Sequence, residues 1–224
     1  MRRASRRGQA DNAVFLIRTT RLLFSLAAVF VPAAMFAATQ PESVVPQTPP
    51  SLAGQLLVAT PEMPDPRYRR TVVVVVRHST DGGFGIVINR PTGDVPLANF
   101  LELIGEKKEK KDEAITVPLF TGGPVQPEIF FVLHSSEYHR PETTDLAADV
   151  ATTASRQIFR DIAAGVGPRK YLIAFGSVAW APGQLEGQMS TKGWNTAPLD
   201  SKLTFDADRD RLWELVFERS RQPP

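Results

Sequence analysis

Apolar positions from residue 51 onward fall in short runs separated by Pro- and Gly-rich breaks, a pattern typical of a β-rich domain. Gln55–Ala59 is one such run, and Thr71–Val76 contains five consecutive valines, so both are predicted as buried strands. Asp81-Gly82-Gly83 predicts a hairpin turn, because glycine readily adopts the positive φ that such turns require. Phe84–Asn89 is the predicted returning strand, ended by Arg90-Pro91.

The remainder of the domain mixes helices with further strands. Helical spacing of apolar residues runs from Pro96 to Ile104 and from Thr153 to Ala164, each followed by a glycine. Shorter patterns predict a helix at Gln184–Thr191 and an amphipathic one from about Asp208 to Arg219. Glu106–Glu113 is a charged stretch predicted to be solvated. The other predicted strands are Val117–Phe120, Ile129–His134 and Tyr171–Phe175. No regular β-α-β period is present, which predicts a single α+β domain over residues 51–224.

The first 50 residues differ in character from the rest. Arginines precede an apolar run, Leu22–Val31, which small residues follow, and residues 39–50 are rich in proline. Residues 1–38 are therefore interpreted as a signal peptide or an N-terminal membrane anchor, and residues 39–50 as a linker. A start of synthesis further along the chain, for instance at Met35, is the other interpretation.

The composition and charge of the chain mainly exclude certain kinds of site. The 224 residues include no cysteine and three histidines, which excludes thiolate sites and disulfides and leaves little for a multi-histidine metal site. Six of the 26 Lys and Arg and two of the 24 Asp and Glu lie in residues 1–50, so residues 51–224 carry 20 basic and 22 acidic side chains. The sequence pI of about 9.0 therefore describes the leader and does not support a nucleic-acid surface. No cofactor or metal is predicted.

Four segments resemble a known family by their order and spacing. They are Gly54–Pro61 with Asp65 and Arg70–Val72, then Gly85–Pro91, then Gly122–Val125 with Phe131–His134, and finally Trp180 and Pro182–Glu186 with Trp194. Together they resemble the AlgH/YqgE family of bacterial proteins over roughly residues 52–215. The resemblance implies a curved, barrel-like mixed β-sheet flanked by helices. The family is largely without an assigned biochemical activity, although one founding member is named for a proposed role in regulating alginate production.

This chain also differs in some respects from the family that it resembles. Family members commonly have Glu and Asn at the positions of Gln188 and Lys192. They are generally taken to be cytosolic, whereas the leader of this chain suggests export or anchoring in the inner membrane. Contact with a membrane is expected only through that leader.

Six side chains are candidates for a binding site: Asn89, Arg90, His134, Trp180, Gln184 and Glu186. Arg90 could clamp an anion or tie down a loop carboxylate, while Asn89 could bond to its own backbone. His134 could take part in catalysis or simply close a strand, but it lies five residues from His139 rather than the four typical of zinc-binding helices. Trp180 to Glu186 could line a pocket, or could fill the core and favour a helix N-terminus.

Gly122-Gly123-Pro124 resembles a phosphate-binding loop only superficially. It lacks the Gly-Lys-Ser/Thr ending that supplies a cation and a magnesium-binding hydroxyl, so a tight turn between strands is predicted instead.

No residue is assigned a catalytic role. The favoured hypothesis is therefore a non-enzymatic regulatory or binding protein that acts through a protein partner or a small ligand. An alternative is a hydrolase or transferase with a polar site around Arg90, His134 and Glu186. A DNA-binding transcriptional regulator is a second alternative, which the slightly acidic domain disfavours.

Overall fold

The computed structural model, which describes residues 50–222, contains ten strands joined in one curled sheet. The strands are β1 (Gln55–Ala59), β2 (Val72–Ser79), β3 (Gly82–Val87), β4 (Pro91–Pro96), β5 (Thr116–Thr121), β6 (Val125–Ser135), β7 (Thr144–Ala147), β8 (Val150–Thr153), β9 (Tyr171–Trp180) and β10 (Trp194–Pro198). The helices are α1 (Leu97–Leu103), α2 (Gln157–Ala163), α3 (Gln184–Ser190) and α4 (Leu212–Ser220). Shorter turns are 3₁₀ at Pro66–Tyr68 and Lys110–Ala114 and π-helical at Lys202–Asp206.

Strand β9 joins the two halves of the sheet. The strand order is β10-β1-β2-β3-β9-β6-β8-β7, and β5 also pairs with β9 while β4 pairs with β5. The β5–β9 pair is parallel and every other pair is antiparallel. The α+β class and the curved, mixed sheet flanked by helices are therefore confirmed.

The valine run of β2 is buried on both faces, as its sequence predicts. Val72 and Val74 pack in a cluster with Leu212 and Val216 of α4. Val73 and Val75 point to the opposite face, into a cluster that includes Leu185 of α3 and both buried tryptophans. Alternating side chains thus serve two cores, which is why a continuous apolar run is found in place of a polar–apolar alternation.

A third core lies between the β5–β9–β6 region and helices α1 and α2. It is rich in phenylalanine: Phe100 of α1 contacts Phe159 of α2 edge-on, with ring centroids 4.6 Å apart, and Phe130 of β6 lies 5.2 Å from Phe159. Edge-to-face rings of this kind fix the helices on the sheet.

The structure corrects two predicted element boundaries. The returning strand ends at Val87, before the predicted Asn89, and Pro91 begins β4, an edge strand that tolerates a residue without an N–H. The helix predicted from Thr153 begins only at Gln157, because Thr153 pairs with Val132 as the last residue of β8.

The charged stretch Glu106–Glu113 is less solvated than predicted. Asp112 is only 2% exposed, and its Oδ2 accepts a hydrogen bond from the Glu109 N–H at 2.7 Å, which caps the 3₁₀ turn. Glu106 is also partly buried, against two arginines that are described below.

The predicted leader, residues 1–38, lies outside the described residues, as does nearly all of the linker at residues 39–50. Within residues 50–222, no helix has both the length and the hydropathy that a bilayer-spanning segment requires.

Candidate functional site

Asn89 stabilises a strained turn ahead of β2. Arg70 has φ 53°, which is uncommon for a residue with a side chain. The Asn89 Nδ2 donates to the Arg70 carbonyl at 2.8 Å, and its Oδ1 accepts from the Val72 N–H at 2.9 Å. Asn89 therefore bonds to the backbone on both sides of this turn.

Arg90 ties the same region down from its other side. Its guanidinium donates to the Arg67 carbonyl at 2.5 Å and to the Thr71 Oγ1 at 2.7 Å. These bonds attach the 3₁₀ turn at Pro66–Tyr68 to the sheet, so Arg90 holds a loop through a carbonyl and a hydroxyl and not through the predicted carboxylate.

Trp180 belongs to a buried polar network around α3. Its Nε1–H donates to the Gln188 Oε1 at 3.0 Å, and the Nε1–H of Trp194 donates to the same oxygen at 2.9 Å. Gln184 accepts from the Ala181 N–H at 2.9 Å through its own Oε1, which closes the turn into α3. Sequence reasoning missed Gln188 as the acceptor that both indoles share.

Glu186 pairs with a histidine that the sequence did not single out. Its Oε1 lies 3.2 Å from Nε2 of His78, which is buried. The His78 Nδ1 accepts from the Leu52 N–H at 3.3 Å, so the ring connects α3 to the segment before β1.

His134 is fully buried at the end of β6. Its Nδ1 lies 3.1 Å from the Ser135 carbonyl, and its ring meets Tyr138 edge-on with centroids 5.3 Å apart. Its Nε2 has no hydrogen-bond partner within residues 50–222. Burial lowers the pKa of His134, because the charged imidazolium would lose its hydration. No set of three His, Asp or Glu side chains in the described residues is placed to hold a metal ion.

We expect His134 to make stability depend on pH. Its pKa is lowered in the folded state, so the unfolded chain takes up a proton first as the pH falls below about 6.5. Its contribution to stability is therefore complete above that pH and is lost toward pH 5, at up to about 1.4 kcal/mol per pH unit. Urea unfolding of wild type and His134→Phe at pH 5.0 to 7.5 measures the difference.

The matched control for this experiment is His139→Gln, since the side chain of His139 is exposed. It should keep the wild-type slope, whereas His134→Phe should flatten it. Equal slopes in wild type and His134→Phe would show that His134 is not the group responsible.

The three side chains of the suggested polar site are each engaged at a different place. Arg90 bonds to the turn before β2, Glu186 pairs with His78, and His134 packs on Tyr138. The described contacts do not join any two of them.

An open apolar groove of about 790 Å³ lies instead on the α1–α2 side of the sheet. Its lining residues are Leu103, Ile104, Leu119, Pro127, Glu128, Ile129, Phe130, Ala154, Arg156 and Phe175. Leu103 is 69% exposed at the mouth, although it is a large apolar residue. A concave site of this size with few polar groups is typical of ligand-binding pockets.

An irregularity in β6 shapes one wall of this groove. Val125 pairs with Ser177 and Phe130 with Phe175, so residues 126–129 bulge out where β9 has only Gly176. The bulge carries Ile129 to the surface, opposite the end of α1. Phe130 and Phe175, whose ring centroids lie 6.4 Å apart, form an aromatic floor beneath it.

Arg156, which lines the groove, belongs to an ion-pair cluster with Glu106 and Arg160. The Glu106 carboxylate accepts from Arg160 at 2.9 Å and from Arg156 at 3.4 Å. The hydrogen bond from Arg160, helped by that from Arg156, keeps the pKa of Glu106 below its ordinary value. Glu106 follows the turn at Gly105, where φ is 72°, and so ties the end of α1 to α2 beside the groove.

A second cavity of about 740 Å³ lies along β1 and β10 and reaches Arg219 and Gln222. Its walls carry more polar surface than those of the groove, and Arg219 is already paired with Asp200 at 2.5 Å. The groove is therefore the better candidate site.

The groove was not among the sequence-based candidates. Leu103 and Ile129 belong to apolar patterns that also predict core residues, and Pro127 and Glu128 directly precede the predicted strand Ile129–His134. No local pattern distinguishes the exposed Leu103 from the buried apolar residues of the same helix.

Comparison with known proteins agrees with the fold. A family model described as AlgH-like (DUF179) matches residues 56–224. A UPF0301 protein of Afipia carboxidovorans is 37% identical over 75% of this chain and 83% of the relative, and one of Methylococcus capsulatus is 35% identical over 80% and 97%.

Solved structures give the same result. The solution structure of the AlgH protein from Pseudomonas aeruginosa is 35% identical, covers 78% of this chain and 92% of that one, and has a TM-score of 0.65. A Corynebacterium diphtheriae protein shares the fold alone, with 22% identity, coverage of 78% and 88%, and a TM-score of 0.59. The chain therefore belongs to the AlgH-like family.

Proposed function

We propose that this protein is a non-enzymatic binding protein whose groove between α1 and the β6 bulge holds a small apolar ligand. The observation that carries the proposal is the exposure of Leu103 and Ile129 over a preformed aromatic floor. Large apolar side chains at the mouth of a concave surface are costly in water unless a ligand covers them.

The enzyme and DNA-binding alternatives have less support. Arg90, His134 and Glu186 each serve a separate local contact, so no described pair of them is poised for general acid–base work. Residues 51–224 carry a small excess of acidic side chains, which disfavours a duplex-binding surface.

The groove should bind the neutral dye N-phenyl-1-naphthylamine, and Leu103→Lys should weaken that binding about tenfold. The substitution removes an apolar side chain from the mouth of the groove and places a charge there. The expected loss of binding free energy equals that gained by burying one aliphatic side chain, roughly 1.5 kcal/mol. Dye fluorescence in an equilibrium titration measures the change.

The matched control is Val166→Lys, because Val166 is also an exposed apolar residue, at 61%, but does not line the groove. It should bind the dye as the wild type does. Equal affinities for the dye in wild type and both variants would overturn the proposal, provided that circular dichroism shows all three to be folded.

A further inference from the structure

We infer that the ligand of this groove is a single-chain amphiphile with an anionic head, of the fatty carboxylate type, whose head is held by Arg156. The inference rests on the proposed function and names the chemical class of its ligand. It depends on the polarity of the lining, the arginine cluster beside the groove and the form of the β6 edge.

The lining fits a long apolar chain with one polar end. Eight of the ten lining residues have no polar group in their side chains, and only Glu128 and Arg156 are charged. A ligand with several hydrogen-bonding groups along its length would leave those groups unpaired against the phenylalanine floor, at a cost for each. An alkyl chain has no such groups.

The arginine cluster beside the groove favours an anionic head. Glu106 is shared by two guanidiniums, so the Glu106–Arg156–Arg160 cluster retains one positive charge. Arg156 is the looser partner, at 3.4 Å against 2.9 Å for Arg160, and its side chain is 55% exposed. It can therefore turn to a carboxylate at the mouth, which suits the two parallel donors of a guanidinium.

Glu128 supplies an opposing charge from the other wall. It is exposed on the β6 bulge, whereas Arg156 comes from the segment between β8 and α2. The two charged lining residues should therefore shift the affinity for an anion in opposite directions when each is neutralised.

The edge of β6 beside the groove favours a small molecule over an extended peptide. Within residues 50–222, β8 ends at Thr153 opposite Val132, so the part of β6 that precedes Val132 has no strand neighbour on that side. A peptide could add there only by pairing with the backbone, but Pro127 has no N–H and the bulge breaks the register.

The test measures displacement of N-phenyl-1-naphthylamine by dodecanoate and by dodecanol, both below their aggregation concentrations, from the full chain. We expect dodecanoate to bind at least tenfold more tightly than dodecanol. Arg156→Gln should weaken dodecanoate tenfold or more and leave dodecanol unchanged, because a hydrogen bond to a charged group is lost. Glu128→Gln should strengthen dodecanoate about twofold to fivefold.

Arg169→Gln is the control, since it removes the same charge from an exposed position outside the groove. Equal affinity for dodecanoate and dodecanol, or equal effects of Arg156→Gln and Arg169→Gln, would overturn the assignment of the head group. If Leu103→Lys weakens dye binding but neither amphiphile displaces the dye, the assignment is also overturned, and a peptide ligand is favoured. The proposed function itself fails if the wild type does not bind the dye or if Leu103→Lys leaves the affinity for the dye unchanged.

Discussion

Gly123→Ala should destabilise the protein by about 3–5 kcal/mol. Gly123 lies in the corner between β5 and β6 with φ 151°, and a Cβ there would meet the backbone C and O of Ser177 at 2.2 Å. These are main-chain atoms of β9 and cannot rotate away, so strain and overpacking are added together. The free energy of urea unfolding measures the loss.

Gly187→Ala is the matched control for this variant. Gly187 lies inside α3, where an added Cβ would have no neighbour within 4 Å. Alanine should there stabilise the protein by about 0.5–1 kcal/mol, because it is the better helix former. A Gly123→Ala protein within about 1 kcal/mol of wild type would mean that the corner can open without cost.

The same corner shows how the Gly-Gly-Pro segment connects two strands. The Gly122 N–H donates to the Phe175 carbonyl at 2.7 Å, and its carbonyl accepts from the Val87 N–H at 2.8 Å. A Cβ on Gly122 would lie 2.3 Å from the Gly176 carbonyl oxygen. The glycines allow β9 to pass close to the corner, and both backbone groups of Gly122 are bonded to neighbouring strands, which agrees with the predicted tight turn.

Local signals were sufficient where a residue's neighbours in sequence decide its structure. The valine run predicted β2, and Asp81-Gly82-Gly83 predicted the hairpin into β3. Short strands such as Thr144–Ala147 were missed, because they carry little apolar pattern and exist through pairing with residues far along the chain. The register of β9 with three partner strands could not be read from any single segment.

The candidate site shows the same limit more strongly. Sequence reasoning selected polar side chains because they carry chemistry, and the structure uses Asn89, Arg90 and Gln184 to hold backbone turns. The groove depends on a bulge in β6 and on the end of α1, which are 20 or more residues apart. Exposure of Leu103 is a property of that arrangement and not of its own segment.

Lys192 and Gln188, where the family resemblance implies Asn and Glu, differ in their physical settings. Lys192 has φ 58°, a conformation that Asn adopts more readily than Lys. Gln188 places an oxygen where two indoles donate, which a Glu at this position could also do. The position therefore requires an acceptor and not a charge.

Gln188→Leu should accordingly destabilise the protein by about 2–4 kcal/mol, while Gln188→Glu should stay within about 1 kcal/mol of wild type. Leucine leaves the N–H groups of Trp180 and Trp194 without their shared acceptor, and each unsatisfied donor in a buried place costs about 1–3 kcal/mol. Urea unfolding of the three proteins measures both differences. If the Gln188→Leu and Gln188→Glu proteins proved equally stable, water would have to accept the hydrogen bonds of both indoles. The network around α3 would then not depend on residue 188. The expected contrast would instead show that residue 188 acts as a hydrogen-bond acceptor for the two indoles and needs no charge to do so.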